Sequence, residues 1–197
     1  MPHRDPSAAM HALFTAGDVA WQRFRARCGN AFHAFVPGDY PGALHALRTL
    51  RPQADSFLEL GSGVGVITII AALLGYEAAG IEIDPWLVDQ SETLAAEFGA
   101  DATFACGSFV PDSFQPIVDR HETELPTVLD GHPAYAELGA DLADFDLVYA
   151  FYWPGHERLF EQLMRRHGRP GALLLTYGGI EGYRAWRDGR PVPLPGA

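Results

Sequence analysis

The sequence predicts an α/β fold, a doubly wound and mostly parallel sheet with helices on both faces. From residue 55 onward, short apolar segments alternate with helical ones, which is the pattern of strands joined by crossover helices. The first of these segments, 56–60, stops at a glycine turn that opens into an apolar helix. The chain has 197 residues, 48% of them hydrophobic, which suits one domain with a sizeable core.

The region before the first strand is predicted to be helical. We expect residues 1–53 to form an N-terminal helical cap segment and residues 54–197 to form the core of one compact domain. The composition of 5–28 is typical of a helix. Its apolar face is formed by Phe14, Val19, Trp21 and Phe24.

A Pro- and Gly-rich aromatic link at 32–42 leads to a second predicted helix at 43–50, which ends before Pro52. The strands of the core are predicted at 56–60, 78–83, 102–106, 145–151 and 172–177. The helices between them are predicted at 65–75, 86–98 and 155–168. In such a sheet, ligands bind at the carboxyl ends of the strands, near the point where the strand order reverses.

Two helix ends and one long connection have specific signals. Asp84 is a candidate N-cap with Pro85 at the first helical position, and Gly99 is expected to end that helix. The acidic stretch 110–144 is expected to hold one helix near 113–120 and a long loop. Such a loop is either a lid over the site or a plain surface excursion.

The end of the chain leaves the edge of the sheet open to two interpretations. Asp188-Gly189 is a hairpin turn signal, although Pro191 and Pro193 suit only an edge strand. Only 20 residues follow Tyr177, which is short for a closing antiparallel hairpin. The hairpin is therefore either short or incomplete.

Charge and cysteine content exclude several classes of function. The chain has 14 basic and 25 acidic residues, a formal charge of −11, which argues against a nucleic-acid partner. Two cysteines far apart in the chain do not form a disulfide framework or a zinc knuckle. We expect no metal site, because the one candidate group is better explained as an exposed acidic loop. That group is His121, Glu122, Glu124 and His132.

The sequence also bears on where the protein resides. The N-terminus lacks the basic and then apolar pattern of a signal peptide. The longest apolar stretch, 64–74, is about half the length of a membrane span. We therefore expect a soluble cytoplasmic protein without membrane contact, and the sequence does not indicate an oligomeric state.

The glycine turn is the strongest functional signal. Alternate glycines allow backbone torsions closed to other residues and keep side chains away from a ligand, while helix-start amides add partial positive charge. A dinucleotide fingerprint would place its third glycine at position 66, where this chain has Val66. A tight turn without ligand is the alternative. The pattern consists of Glu59, Gly61, Ser62, Gly63 and Gly65.

A second acidic residue follows at the end of the second predicted strand. Glu82 lies 17 positions after Gly65, about where a ribose-binding carboxylate belongs. A carboxylate there can accept hydrogen bonds from both ribose hydroxyls. Because a carboxylate ending an apolar strand needs a partner, the pair of signals favours a nucleotide-type site.

These motifs resemble those of the class I methyltransferases that use S-adenosylmethionine. The spacing Glu59-x-Gly61-x-Gly63-x-Gly65 is similar to motif I of that superfamily. The turn at 153–157, Trp-Pro-Gly-His-Glu, resembles a Trp-Pro-Gly-Glu-type turn found in a group of uncharacterised bacterial methyltransferase-like proteins. With Ile81-Glu82-Ile83-Asp84 and the segment 171–177, the resemblance covers about residues 35–187.

The resemblance implies a Rossmann-like core with S-adenosylmethionine as cofactor and a methyl transfer by in-line displacement. Glu59 and the turn residues Gly61, Ser62, Gly63 and Gly65 would belong to the side that holds the methionine end, and Glu82 would hold the ribose. Adenine would be framed by Ile83, Ser108 and Phe109, although Phe109 is equally well explained as a core residue.

The acceptor side is less defined. Tyr40, Tyr152 and Trp153 are candidates for lining a substrate pocket, with packing as the alternative for each. The Asn/Asp-Pro-Pro-Tyr/Phe signature of amino-methyltransferases is missing, and no catalytic residue is predicted, since His156 is better explained as a helix-start residue. The acceptor is expected to be a small molecule or a protein side chain. The alternatives are a non-catalytic protein that binds S-adenosylmethionine or S-adenosylhomocysteine, and a nicotinamide-dependent oxidoreductase.

Overall fold

The computed structural model describes residues 6–28, 38–118, 131–152 and 156–195. The strands are β1 Ser56–Leu60, β2 Glu77–Glu82, β3 Ala102–Cys106, β4 Leu147–Phe151, β5 Leu173–Tyr177, β6 Tyr183–Arg187 and β7 Arg190–Val192. The helices are α1 Pro6–Cys28, α2 Tyr40–Leu50, α3 Val66–Leu73, α4 Pro85–Phe98, α5 Gln115–Val118, α6 Tyr135–Leu138 and α7 Glu157–His167.

The seven strands form one sheet in the order β3-β2-β1-β4-β5-β6-β7. Neighbouring strands from β3 to β5 pair in parallel, whereas β6 and β7 pair antiparallel. The strand order reverses between β1 and β4, so the carboxyl ends of these strands flank the position where ligands bind in open α/β sheets.

Helices cover both faces of the sheet, as predicted. Successive strand residues point to opposite faces. Phe57 and Tyr149 pack in the core cluster that includes α1 to α4, whereas Leu58 and Val148 pack in the cluster that includes α5 to α7. We call these the α3 face and the α7 face. Most apolar strand residues are buried, because each face has its own helical layer.

The closing hairpin is present and short. Its strands have five and three residues, and its turn is formed by Asp188 and Gly189, both at positive φ (49° and 73°). Pro191 lies on β7, the edge strand, where a missing amide hydrogen costs no ladder bond. The turn signal in the sequence was therefore correct, and the interpretation as an incomplete sheet was wrong.

Several predicted boundaries are confirmed, and the predicted start of α2 is wrong. β1 and β3 match the prediction, and α4 has the predicted Asp84 cap, with Asp84 Oδ1 accepting from Trp86 N at 2.9 Å. Helix α2 begins at Tyr40 rather than 43, because Asp39 accepts from Gly42 N and caps it. The helix predicted near 113–120 is described as far as Val118, as a 3-10 turn at Asp112–Phe114 followed by α5, and residues 119 and 120 lie outside the described ranges.

The helices before β1 pack on the sheet layer rather than apart from it. α1 contacts α3 and α4, and α2 contacts α3 and β6. The division of the chain at residues 53 and 54 stays a prediction. None of the helices in the described ranges has the length and apolar character needed to cross a membrane.

Candidate functional site

The glycine turn connects β1 to α3 at the carboxyl edge of the sheet. Gly61, Gly63 and Gly65 all have positive φ, at 77°, 56° and 75°. Such torsions strain residues with a Cβ atom, which explains the alternate glycines. The turn is fixed to β2, since Gly61 N and Ser62 N each donate to the carbonyl oxygen of Ile81 at 2.9 Å. The turn is therefore a rigid backbone loop.

Glu59, near the end of β1 and just before the glycines, ties the strand to α3. One carboxylate oxygen accepts from Thr68 N at 2.9 Å and from Thr68 Oγ1 at 2.6 Å. The side chain is only 4% exposed, and burial raises the pKa of Glu59 to about 8 despite these two hydrogen bonds. Glu59 thus positions the start of α3, and its predicted contact with the cofactor stays a prediction.

Glu82 closes the other side of the turn. Its Oε2 accepts from Gly63 N at 2.8 Å, and its Oε1 accepts from Ile83 N at 2.8 Å and Asp84 N at 3.0 Å. The side chain is 7% exposed, and burial raises its pKa. The sequence did not predict these partners, which give Glu82 a structural role in the protein alone. A carboxylate has about four acceptor positions, so one remains for a ligand.

Space for a ligand is present in front of the turn. Among the residues that the structure describes, a Cβ built on Gly61 would meet no atom within 4 Å, whereas one on Gly65 would lie 2.7 Å from Ser91 Cβ and 2.8 Å from Phe104 Cε1. Gly61 therefore faces open space, and Gly65 permits close packing. Ser62 Oγ is buried and has no hydrogen-bond partner in the described part of the chain. The exposed backbone of the turn and the carboxylate of Glu82 beside it fit a ligand with hydroxyl and amino groups.

The predicted adenine side has one partly buried residue and two buried ones. Ile83 follows β2 and donates its amide to Glu82. Ser108 is 2% exposed, and its Oγ accepts from Val110 N at 3.1 Å. Phe109 packs on the α7 face against Phe160, with ring centroids 5.9 Å apart. Phe109 is therefore a core residue in its observed contacts, which was one of the two interpretations of the sequence. A contact of Ser108 or Phe109 with adenine stays a prediction.

The end of the acidic stretch docks beside these residues. Ser108 N donates to His132 O, and Ala134 N donates to Ser108 O, both at 2.9 Å. A Cβ on Gly131 would lie 3.3 Å from Ile83 Cδ1. Residues 131–134 therefore border the carboxyl ends of β2 and β3. The preceding part of the predicted lid, 119–130, lies outside the described residues.

The three substrate-pocket candidates have different positions. Tyr40 is buried on the α3 face, with its ring 5.6 Å from Phe14. Tyr152 is 3% exposed and belongs to the α7 face, where its hydroxyl donates to Glu181 at 3.2 Å. Trp153 lies outside the described residues. Tyr40 and Tyr152 thus sit on opposite faces of the sheet, and the predicted common pocket stays a prediction.

Sequence reasoning missed other residues around the turn. Ser91 Oγ lies 3.0 Å from Gly63 O and 2.9 Å from Leu87 O, which links α4 to the turn. An aromatic row also lies at the strand ends, and no local signal could reveal it because its members come from three strands. The row consists of Phe151, Tyr177 and Tyr183.

A separate cavity of about 560 Å³ lies between α7 and the β6–β7 hairpin. Ala172, Trp186 and Gly189 line it, and the pairing of Leu173 with Arg187 places it at the amino-terminal edge of the parallel strands. It is therefore remote from the turn. Within the described ranges, no group of three His, Cys, Asp or Glu side chains is arranged to hold a metal ion.

Sequence comparison finds methyltransferases. The chain is 46% identical over 67 residues to ribosomal protein L11 methyltransferase of Thermus thermophilus, which covers 34% of this chain and 26% of that relative. It is 41% identical over 54 residues to a human lysine N-methyltransferase named for a component of ATP synthase, covering 27% and 23%. The matches span about a quarter of the curated relatives' length. No protein-family model matches the chain.

Solved structures with the same architecture are also methyltransferases. An RNA methyltransferase from Salinibacter ruber, in complex with S-adenosyl-L-homocysteine, superposes with a TM-score of 0.51 at 23% identity, over 72% of this chain and 76% of that one. An O-methyltransferase from Bacillus cereus gives a TM-score of 0.51 at 17% identity, over 82% and 65%. The fold is therefore that of the class I S-adenosylmethionine-dependent methyltransferases, and the predicted resemblance is confirmed at the level of fold.

Proposed function

We propose that this protein is a methyltransferase that binds S-adenosylmethionine at the glycine turn and transfers its methyl group to an acceptor. The observation that carries the proposal is the rigid turn with open space before Gly61, enclosed by the carboxylate of Glu82. The fold and the methyltransferase relatives support it.

Each part of the turn has a task in this proposal. The backbone of Gly61, Ser62 and Gly63 would hold the methionine end of the cofactor. The remaining acceptor position of Glu82 would bind a ribose hydroxyl. Glu59 acts through Thr68, because it fixes the helix start and hence the direction of the turn amides. The bound cofactor supplies an electrophilic methyl group on a sulfonium.

The protein's contribution to such a displacement is positioning. A rigid backbone cradle reduces the entropic cost of bringing the acceptor in line with the methyl carbon. No general base is required when the acceptor is already nucleophilic. The absence of a predicted catalytic residue is therefore compatible with an enzyme, and a non-catalytic binding protein is not favoured.

The names of the similar proteins do not identify one acceptor class. Their names specify a ribosomal protein, a lysine of an ATP synthase component, RNA and an O-methyl acceptor. The formal charge of −11 disfavours nucleic acid, which needs clustered basic residues. We infer a small molecule or a protein side chain.

A matched pair of glycine substitutions tests the cofactor site. Gly61 and Gly99 both have positive φ, at 77° and 66°, and an added Cβ at either position would meet no atom of the described ranges within 4 Å. Gly61→Ala and Gly99→Ala should therefore cost a similar free energy of unfolding, about 1–2 kcal/mol from the backbone strain. Gly99 ends α4, so it lies outside the proposed site.

Only Gly61→Ala should affect cofactor binding, since its methyl group occupies the space in front of the turn. We expect its affinity for S-adenosylhomocysteine, measured by isothermal titration calorimetry, to fall by about tenfold or more. Gly99→Ala should bind as the wild type does. Equal affinities for both variants would place the cofactor elsewhere and overturn the proposal.

A further inference from the structure

The aromatic row crosses three neighbouring strands at one level of the sheet. Phe151 pairs with Tyr177, and Tyr177 pairs with Tyr183. The ring centroids of Phe151 and Tyr177 are 5.6 Å apart, and those of Tyr177 and Tyr183 are 4.6 Å apart. Phe151 and Tyr177 are half-buried, so the row presents part of its surface to solvent.

The row begins next to the glycine turn. Leu60 pairs with Ala150, so the next residues, Gly61 and Phe151, follow side by side at the carboxyl ends of adjacent parallel strands. Neighbouring strands lie about 4.8 Å apart. Phe151 and Tyr177 pack on the α3 face, the face on which Glu59, two residues before Gly61, reaches Thr68 of α3. The open space before Gly61 therefore adjoins the row.

The charged side chain that the contacts of the described residues bring to the row is acidic. Tyr183 donates its hydroxyl to the backbone oxygen of Asp39 at 2.8 Å, which brings the exposed Asp39 carboxylate to the row. Burial, and after it the Asp39 carboxylate, raises the pKa of Tyr177. The nearest arginine in sequence, Arg184, points to the other face by alternation and pairs with Glu181 at 3.0 Å.

Aromatic faces with a carboxylate beside them attract cations. A cation over the face of an aromatic ring is attracted by the negative charge of that face, and more strongly when the cation is desolvated. We propose that the aromatic row and Asp39 form the acceptor subsite and that the acceptor is an amine, bound there in cationic form. This inference rests on the methyl transfer proposed for the adjacent turn.

The chemistry balances without a further reactant. The bound ammonium ion gives one proton to water and becomes a neutral amine. Its nitrogen lone pair then attacks the methyl carbon, a C–N bond forms, and the C–S electron pair stays on sulfur as a neutral thioether. The positive charge moves to nitrogen, where the aromatic faces and Asp39 stabilise it.

Choline and its neutral isostere 3,3-dimethylbutan-1-ol test the subsite, since neither choline's quaternary nitrogen nor the alcohol's carbon can accept a methyl group. Each is titrated into the protein saturated with S-adenosylhomocysteine and followed by NMR. We expect choline to bind about tenfold more tightly than the alcohol. Tyr177→Leu should remove this preference, and Tyr177→Phe, which keeps the ring, should retain it.

Asp39→Asn gives an independent variant, because asparagine also caps a helix and α2 should remain folded. It should lower the choline affinity by about threefold without changing that for the alcohol. Equal affinities of the wild-type complex for choline and the alcohol would overturn the inference and leave the methyltransferase proposal standing. A preference for choline that survives Tyr177→Leu would also overturn it. Failure of the wild type to bind S-adenosylhomocysteine would instead refute the proposed function.

Discussion

Removal of the Glu82 carboxylate is the substitution that the geometry of the turn defines best. In the protein alone, Glu82 accepts three backbone hydrogen bonds, from Gly63, Ile83 and Asp84, at 2.8 to 3.0 Å. A hydrogen bond to a charged group makes a net contribution of about 1.5–3 kcal/mol where water cannot replace it. Since water can enter the edge of the sheet, we expect Glu82→Ala to lower the free energy of unfolding by about 2–3 kcal/mol.

The same substitution should weaken cofactor binding further. It removes the acceptor for a ribose hydroxyl and releases Gly63 N, which holds the turn in place. Loss of one charge-assisted bond and of this support corresponds to about 1–3 kcal/mol, or about a 5- to 150-fold lower affinity. Glu82→Gln should also bind weakly, because one of its amide hydrogens would face a backbone N–H donor.

Calorimetry with S-adenosylhomocysteine and urea unfolding measure the two effects separately. Glu77→Ala is the matched control, because Glu77 is an exposed carboxylate at the other end of the same strand. It should change the free energy of unfolding by no more than about 0.5 kcal/mol and leave the affinity unchanged. A folded Glu82→Ala protein that binds S-adenosylhomocysteine as tightly as the wild type would refute the assignment of the ribose position.

Two further predictions concern the stability of the turn. Burial raises the pKa of Glu59 from 4.5 to about 8, so the folded state favours the protonated form. The resulting stability should be complete below about pH 4.5 and fall by up to about 1.4 kcal/mol per pH unit as pH rises to about 8. Glu59→Gln should lose this component of the slope in urea unfolding between pH 5 and 8, and parallel curves for both proteins would contradict the raised pKa. Gly65→Ala should cost about 2–5 kcal/mol in the same assay, because its Cβ would meet Ser91 and Phe104 in addition to the strain of a φ of 75°. A cost no larger than that of Gly61→Ala would show that the close packing at Gly65 is not needed.

The features that the sequence predicted correctly are those that depend on residues close together in the chain. The α4 cap at Asp84 and the turn at Asp188-Gly189 depend on neighbouring residues alone, so their signals were readable. The start of α2 was missed because Pro41 was assigned to a link, although proline suits the first turn of a helix.

Contacts between distant segments could not be predicted in the same way. The three amide partners of Glu82 come from the turn and from the residues that follow β2, and their convergence depends on the folded backbone. The sequence could not predict which face of the sheet Tyr152 and Phe109 occupy. Helices cover both faces, so the strands are apolar on both sides and their residue pattern does not distinguish one face from the other. The register of the aromatic row likewise exists only in the assembled sheet.

The central claim is that the glycine turn binds S-adenosylmethionine rather than a nicotinamide dinucleotide. The most direct test is the thermal unfolding of the wild-type protein with S-adenosylhomocysteine or with NAD at the same concentration. At about 100 times the dissociation constant, a ligand stabilises the folded state by about 2.7 kcal/mol, which corresponds to a shift of roughly 5–10 °C for a domain of this size. We predict that shift with S-adenosylhomocysteine and none with NAD. Stabilisation by NAD without stabilisation by S-adenosylhomocysteine would contradict the claim.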